Sequence, residues 1–430
     1  MHDVAPTALS DEERAWLVSQ TSSLLDYTKR AVHPDGGFAW LDDDGVPQLD
    51  RPVELWVTCR MTHVLALAAL RGDSGSRALV DHGVAALTGR LHDDEHGGWY
   101  AAVEAAPDGT SRPADDTKQA YAHAFVVLAA ASATAAGHPG ARALLDDALA
   151  VFADRVWIED DGLVADTWDR AFVTRDPYRG VNANMHTVEA LLAAHDVTGD
   201  PVLLERATSI VTRVVHGFAA GNGYRLPEHY DTQWHQMLDY NRDHPADKFR
   251  PYGVTIGHLL EWARLALHLR TAHGDAAPGW LLTDAIALFD RAVSDGWHVD
   301  GAPGFVYTTD FDATPVVRTR LHWVAAEGLA TAWTLALVTG EQGYRTWFDV
   351  WRQHIADLFV DPVCGSWHHE LDPSNHPSHL VWDGKPDTYH AYQAVLLPSL
   401  GEITSFVAGV VRATGAGDAA YRLDPADPLV

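Results

Sequence analysis

The sequence predicts an all-α protein, an (α/α)6 barrel of six inner and six outer helices with short β-hairpins at one mouth. Two observations lead there. Six times the chain passes from an amphipathic helix, through a short Gly/Asp/aromatic stretch, into a helix that is apolar nearly all round. The stretches recur at intervals of about 60 to 80 residues, the length of two helices plus loops. A helical solenoid is the other way to stack such units, but its repeats are normally shorter and lack a buried, all-apolar set. A closed ring uses both sets, one facing water and one facing the axis.

The elements follow in order. The connectors are His33 to Trp40, His96 to Tyr100, Asp160 to Val164, Gly221 to Arg225, Asp300 to Tyr307 and Cys364 to His368. Their alternating aromatic and small residues suit tight hairpins. Before them lie helices with one charged face, expected over 11–30, 74–91, 139–156, 201–216, 279–296 and 341–359. After them come the inner helices, beginning near Glu54, Thr117, Asn182, Thr255, His322 and Asp387. No Ser/Gly-rich or Pro-rich linker divides the 430 residues, so one catalytic domain over 1–430 is expected.

Composition narrows the partners. The formal charge of -28 argues against nucleic acid and anionic membrane, which call for a basic surface. No run approaches the roughly 18 apolar residues of a membrane span. Two cysteines, Cys59 and Cys364, with no CxxC and no signal peptide before Ser10, point to a reducing cytoplasm. Sixteen Trp and 25 His suit an aromatic-walled sugar pocket, although a large helical core also uses Trp.

If the inner helices all begin at one mouth, their first turns converge on one pocket with their positive dipole ends toward it. The polar residues there are Glu54, Trp56 and Arg60; Tyr121 and His123; Asn182, Asn184, His186 and Glu189; His258 and Glu261; His322, Trp323 and Glu327; and Asp387, Tyr389, His390 and Gln393. The fourth start is the clearest: Pro251 and Gly253 break what precedes, Thr255 is placed to cap the helix, and His258 falls in the first turn with Glu261 three residues on. A lone helix-start histidine usually makes a local hydrogen bond. The pattern His-x-x-(Glu or Gln) at three of six starts instead favours proton transfer by His258 and His390, with His186 beside them.

Other chemistries are less well supported. A metal is not expected, because no His-x-x-x-His or His-Glu-x-x-His pair shares a helix and His368-His369-Glu370 is a connector run whose neighbours point apart. No organic cofactor is expected either, since phosphate-cradling Gly-rich loops are absent. There is no Gly-x-Ser-x-Gly elbow. A carboxylate pair for glycoside hydrolysis stays open, drawn from Glu54, Glu189, Glu261, Glu327, Glu370 and Asp387. So does a sugar- or nucleotide-binding regulator without turnover.

From about Trp16 to about Pro398 the sequence resembles the N-acylglucosamine 2-epimerase superfamily, specifically its aldose-ketose isomerase branch, the mannose and sulfoquinovose isomerases. The motifs are 54–61, 96–100, Gly180 to His186, Glu228 to Asp231, Gly257 to Trp262 and Trp382 to His390. The resemblance implies a metal-free acid/base reaction on an opened monosaccharide, with His258 and His390 as the proton-transfer pair. It also implies that Arg60, His186, Trp56, Asn182 and Glu261 bind or orient the sugar, and Tyr121, Trp323, Trp382 and His369 are expected around it. Sulfosugar isomerases tend to carry Arg and Gln where this chain has Lys248 and His369, and lysine lacks the bidentate fork. That departure favours D-mannose and D-fructose as the substrate pair. Epimerisation at C2 is the nearer rival. Glu261 is expected to hold the His258 ring.

Overall fold

Each apolar inner helix forms where the sequence places it, because a segment apolar on all sides is stable only when covered on all sides. The computed structural model describes residues 7–105 and 110–415. Its helices are α1 (Asp11–Thr28), α2 (Leu55–Leu70), α3 (Ser74–Leu87), α4 (Ala120–Ala135), α5 (Ala141–Val151), α6 (Val181–Thr198), α7 (Pro201–Val211), α8 (Ile256–His273), α9 (Trp280–Gly296), α10 (His322–Thr339), α11 (Gln342–His354), α12 (Tyr389–Leu396) and α13 (Phe406–Thr414). The inner ring runs α2, α4, α6, α8, α10, α12 and back to α2, and each inner helix packs on an outer one. This is the (α/α)6 barrel. Among the described residues no helix is long and apolar enough to cross a membrane.

Short sheets tie the mouth together. Five of the six predicted connectors close on themselves through antiparallel pairs such as Val32 with Phe38, His92 with Trp99 and Trp157 with Val164. A second set of pairs, invisible in the sequence, links successive repeats. The two residues before an inner helix bond to the connector of the following repeat: Val53–Glu54 to Val103 and Ala102, Arg179–Gly180 to Tyr230 and His229, Val254–Thr255 to Thr309 and Thr308, and Arg320–Leu321 to Leu371 and Glu370. The first turns of α2, α6, α8 and α10 are therefore held from the neighbour's side, and those turns carry candidate site residues. Gly253 shows how close the approach is. Its φ is +93°, and a Cβ there would lie 2.1 Å from the carbonyl oxygen of Thr309.

The far end of the barrel is floored by α13, absent from the predicted twelve helices. It packs on α2, α4 and α6, and Thr404 and Ser405 ahead of it donate to Asp196 near the end of α6 at 2.5 and 2.6 Å. One expected cap fails. Thr255 occupies the N-cap position of α8, but its hydroxyl is buried and accepts nothing from the helix. The strand pair to Thr308 fixes this helix start instead.

Candidate active site

The converging first turns line one cavity. Arg60, Tyr121, Asn182, His186, His258, Glu261, Trp323 and His390 border it from the inner helices, and His369 and Trp382 border it from the last connector. Of the residues expected to bind or orient the sugar, Trp56 lies just outside. It lines an adjoining space of about 450 Å³, which shares Tyr121, Asn182 and Phe249 with the main cavity. The Trp56 ring supports the wall from behind, edge-on to Trp382 and Phe249 at 6.2 and 6.0 Å.

His258 and His390 both lie against Trp323, with ring centroids 5.3 and 5.7 Å from the indole. Gly257 makes room for that arrangement, since a Cβ there would meet the Trp323 ring at 2.3 Å. Each histidine gives Nδ1 to a carboxylate: His258 to Glu228 at 3.0 Å and His390 to Glu327 at 2.9 Å. A carboxylate only accepts, so Nδ1 carries the hydrogen and Nε2 is left with a lone pair. Among the described residues no protein group hydrogen-bonds either Nε2. Burial pulls the His390 imidazole below its ordinary value while Glu327 pulls the other way, a balance suited to a group that takes and returns a proton.

The expected role of Glu261 is thereby corrected. It does not hold His258; that carboxylate is Glu228, which precedes the strand pair at 229–230. A first-turn side chain points back past the helix end, toward the connectors, whereas Glu261 one turn deeper faces across the ring. There it lies 3.7 Å from Nδ1 of His186 and 3.6 Å from Arg264. Burial, and then the charge of Glu327, push its carboxyl well above the usual range, so it keeps its proton.

Below the two histidines lies a buried charged layer. Arg264 donates through Nε and Nη2 to Glu327 at 2.7 and 3.1 Å. Glu189 accepts from the Tyr389 hydroxyl and, at 2.9 Å, from Gln393. Burial alone would raise the Glu327 carboxyl, but Arg264 and the His390 hydrogen bond hold it below the usual carboxylate range. Burial pushes His186 down to about 3, which leaves it a neutral ring against Phe125 and Tyr121 with its Nδ1 unpartnered.

Opposite this layer stands a cation. The Arg60 guanidinium reaches Asp387 at 3.2 Å and the Tyr121 hydroxyl at 2.9 Å, and lies over the rings of Phe125, Tyr389 and Trp56 at 4.5, 4.7 and 5.0 Å. Stacking and the ion pair fix its plane without using its Nε, which has no partner. The side-chain amide oxygen of Asn182 is likewise buried and unpartnered. His369 stacks on His322 at 3.8 Å and donates Nε2–H to the Asp387 carbonyl at 3.1 Å. Trp382 stacks on Trp40, with Phe249 edge-on at 5.9 Å. Lys248, which also lines the cavity, is paired with Asp383 at 2.8 Å.

Two candidates named from the sequence serve the scaffold. Asn184 bonds the backbone of Val164 at 2.9 and 3.2 Å, and His123 accepts from the Trp99 amide at 3.2 Å. Two of the carboxylates considered for glycoside hydrolysis are similarly committed. Glu370 accepts from Ser378 and the amides of Leu380, Val381 and Trp382, which shapes the loop that delivers Trp382, while Glu54 accepts from the Trp56 indole.

Two clusters have the donor types for an ion: His186 with Glu189 and Glu261, and Glu261 with Glu327 and His390, their atoms within 4.8 Å of one another. The second set fits one poorly, because Arg264 already supplies positive charge beside Glu261 and Glu327, and Glu327 already binds His390 Nδ1. In the first, Nδ1 of His186 and Oε1 of Glu261 have no hydrogen-bond partner among the described residues.

Residues 36–394 match the family model described as N-acylglucosamine 2-epimerase (GlcNAc 2-epimerase). The chain belongs to the N-acylglucosamine 2-epimerase family. Within that family it is 52% identical to a D-mannose isomerase of Thermobifida fusca, over 94% of this chain and 98% of the relative. It is 47% identical to a D-mannose isomerase of Pseudomonas cannabina pv. alisalensis, over 93% of this chain and 95% of the relative. A solved D-mannose isomerase structure superposes with a TM-score of 0.83 at 28% identity, covering 91% of this chain and 99% of that one.

Proposed function

We propose that this chain is an aldose-ketose isomerase that interconverts D-mannose and D-fructose in the cytoplasm, as one metal-independent catalytic domain. The observation that carries the reading is the pair of histidines on one cavity, each with Nδ1 on a carboxylate and Nε2 free of protein partners. That is the equipment for moving protons twice. The sugar ring opens when its ring oxygen is protonated and O1 deprotonated. A proton then passes from C2 to C1 on one face of a cis-enediolate, whose negative charge is shared by O1 and O2. Arg60 and the inner helix N-termini supply the positive potential that this charge requires. Each positioned acid or base contributes on the order of 10² to 10⁴ in rate.

Nearly full-length similarity to D-mannose isomerases supports mannose as the aldose. Sulfonate recognition is disfavoured because Lys248, which shares Asp383 with Arg51, lacks the bidentate fork of an arginine, and His369 is buried, with its imidazole driven well below its ordinary value by burial. The test is D-mannose in deuterated water, read by NMR. Fructose with deuterium at C1 is the expected product. Glucose labelled at C2, with no fructose, replaces isomerisation by epimerisation, and binding without turnover replaces both by a regulatory role.

A further inference from the structure

We infer that Arg264 is a positioning residue for this reaction: from below the cavity it fixes the charge and plane of Glu327, which in turn holds His390 with Nε2 toward the sugar. The inference rests on the reading of His390 as a proton-transfer group. It gives α8 two duties, since the helix that presents His258 at the mouth also governs, two turns deeper, the histidine contributed by α12.

The geometry is specific. Arg264 is fully buried, and its fork meets both oxygens of Glu327, so the carboxylate cannot rotate about its own axis. One of those oxygens, Oε1, takes both the Arg264 Nη2 bond at 3.1 Å and the His390 Nδ1 bond at 2.9 Å. The guanidinium and the imidazole are therefore coupled through a single atom. An ion pair that served only the core would have no reason to share that oxygen with a cavity-lining ring. The charges facing the pair come from every side: Glu189 and His186 on α6, Glu261 and His268 on α8, Arg60 on α2, and Asp387 ahead of α12. Among the carboxylates Glu327 has the whole fork, while Glu261 has only a 3.6 Å approach to Nη2. In line with that geometry, burial and the charge of Glu327 raise the Glu261 carboxyl, while Arg264 and the His390 hydrogen bond lower that of Glu327. Arg264 Nη1 has no partner.

Removing Arg264 alone strands a buried carboxylate, so the comparison uses a variant that removes both charges. On the sugar-isomerisation assay, Glu327→Gln is expected to lower kcat about 10²-fold with little change in KM. Added to Glu327→Gln, the second substitution Arg264→Met is expected to change kcat by less than about fivefold, because its route to His390 has already been cut. Arg264→Lys, which keeps the charge but not the fork, is expected to lower kcat about tenfold and to move the acidic limb of its pH profile upward. A further loss above about fivefold when Arg264→Met is added to Glu327→Gln, or an unshifted pH profile in Arg264→Lys, overturns the inference. His390→Asn separates this from the reading beneath it. If that variant isomerises mannose at the wild-type rate, the histidine assignment fails whatever Arg264 does.

Discussion

Replacing each of two buried glutamates by glutamine distinguishes the structure's account of His258 from the one suggested by residue spacing. In Glu228→Gln the acceptor for Nδ1–H remains in place, 3.0 Å away, but its charge is gone. A hydrogen bond to a charged partner contributes about 1.5–3 kcal/mol and a neutral one about 1, so the variant forfeits roughly 1 to 1.5 kcal/mol whenever the ring is protonated. At about 1.4 kcal/mol per decade, kcat should fall about tenfold. In Glu261→Gln the substitution copies the state that burial already imposes, a neutral group with a donor and an acceptor. Its kcat should stay within about threefold of wild type. Initial rates of fructose formation across a mannose series, with thermal unfolding of each variant, give the comparison. If Glu261→Gln is the more damaged enzyme while remaining folded, the assignment of Glu228 as the carboxylate that holds His258 is wrong.

Acid should unfold this protein early. Burial pushes His186, His268 and His322 from 6.5 to about 3, and His63 and His123 to about 4. Their folded values lie below the unfolded ones, so the unfolded chain binds more protons between those limits and stability is lost as pH falls below 6.5. Each costs about 1 kcal/mol at pH 5.5, and together they approach a typical domain stability. The unfolding midpoint should drop steeply from pH 6.5 to 5, and a flat profile to pH 4.5 contradicts this. Gly257→Ala should displace Trp323 from its place against the histidines, lowering kcat at least about tenfold at a stability cost of about 1–3 kcal/mol and shifting tryptophan emission. Unchanged kcat and emission count against Trp323 as the ring that positions them. Dialysis against EDTA should leave kcat unaltered, whereas loss reversed by a divalent ion means that one of the two acidic clusters holds a metal despite Arg264.

Much of the site could be read in the sequence because a closed ring makes six distant helix starts neighbours. Arg60, His186, His258 and His390 needed only the repeat and the direction of each helix to be brought together. The partners of the histidines could not be found that way. Glu228 lies in a connector thirty residues before His258 and reaches it only through the strand pair at Arg179–Gly180 and His229–Tyr230. Two-residue strands carry no periodicity to detect. Glu327 was visible as a lining residue on α10, but its bond to His390 crosses to another helix. Nothing in the helical pattern marks Arg264, which is the countercharge of a buried acidic layer. Glu261 was misassigned because helical spacing gives the shared face of His258 and Glu261, not the direction in which a first-turn ring leans.

The joint between the first and last repeats bears on how the molecule is made. Thr28 on α1 shares a 2.5 Å hydrogen bond with Thr388, and Gln20 accepts from the Trp367 indole at 2.9 Å, so the seam of the ring is stitched from opposite ends of the chain. His390 and the Asp387 that steadies Arg60 arrive only with the final repeat. During synthesis, the helices through α11 emerge as an arc whose apolar inner face and flanking edges are uncovered, the kind of surface that invites aggregation. Closing the ring and assembling its proton-transfer pair both depend on contacts between opposite ends of the chain, the class of contact whose loop-closure cost is highest.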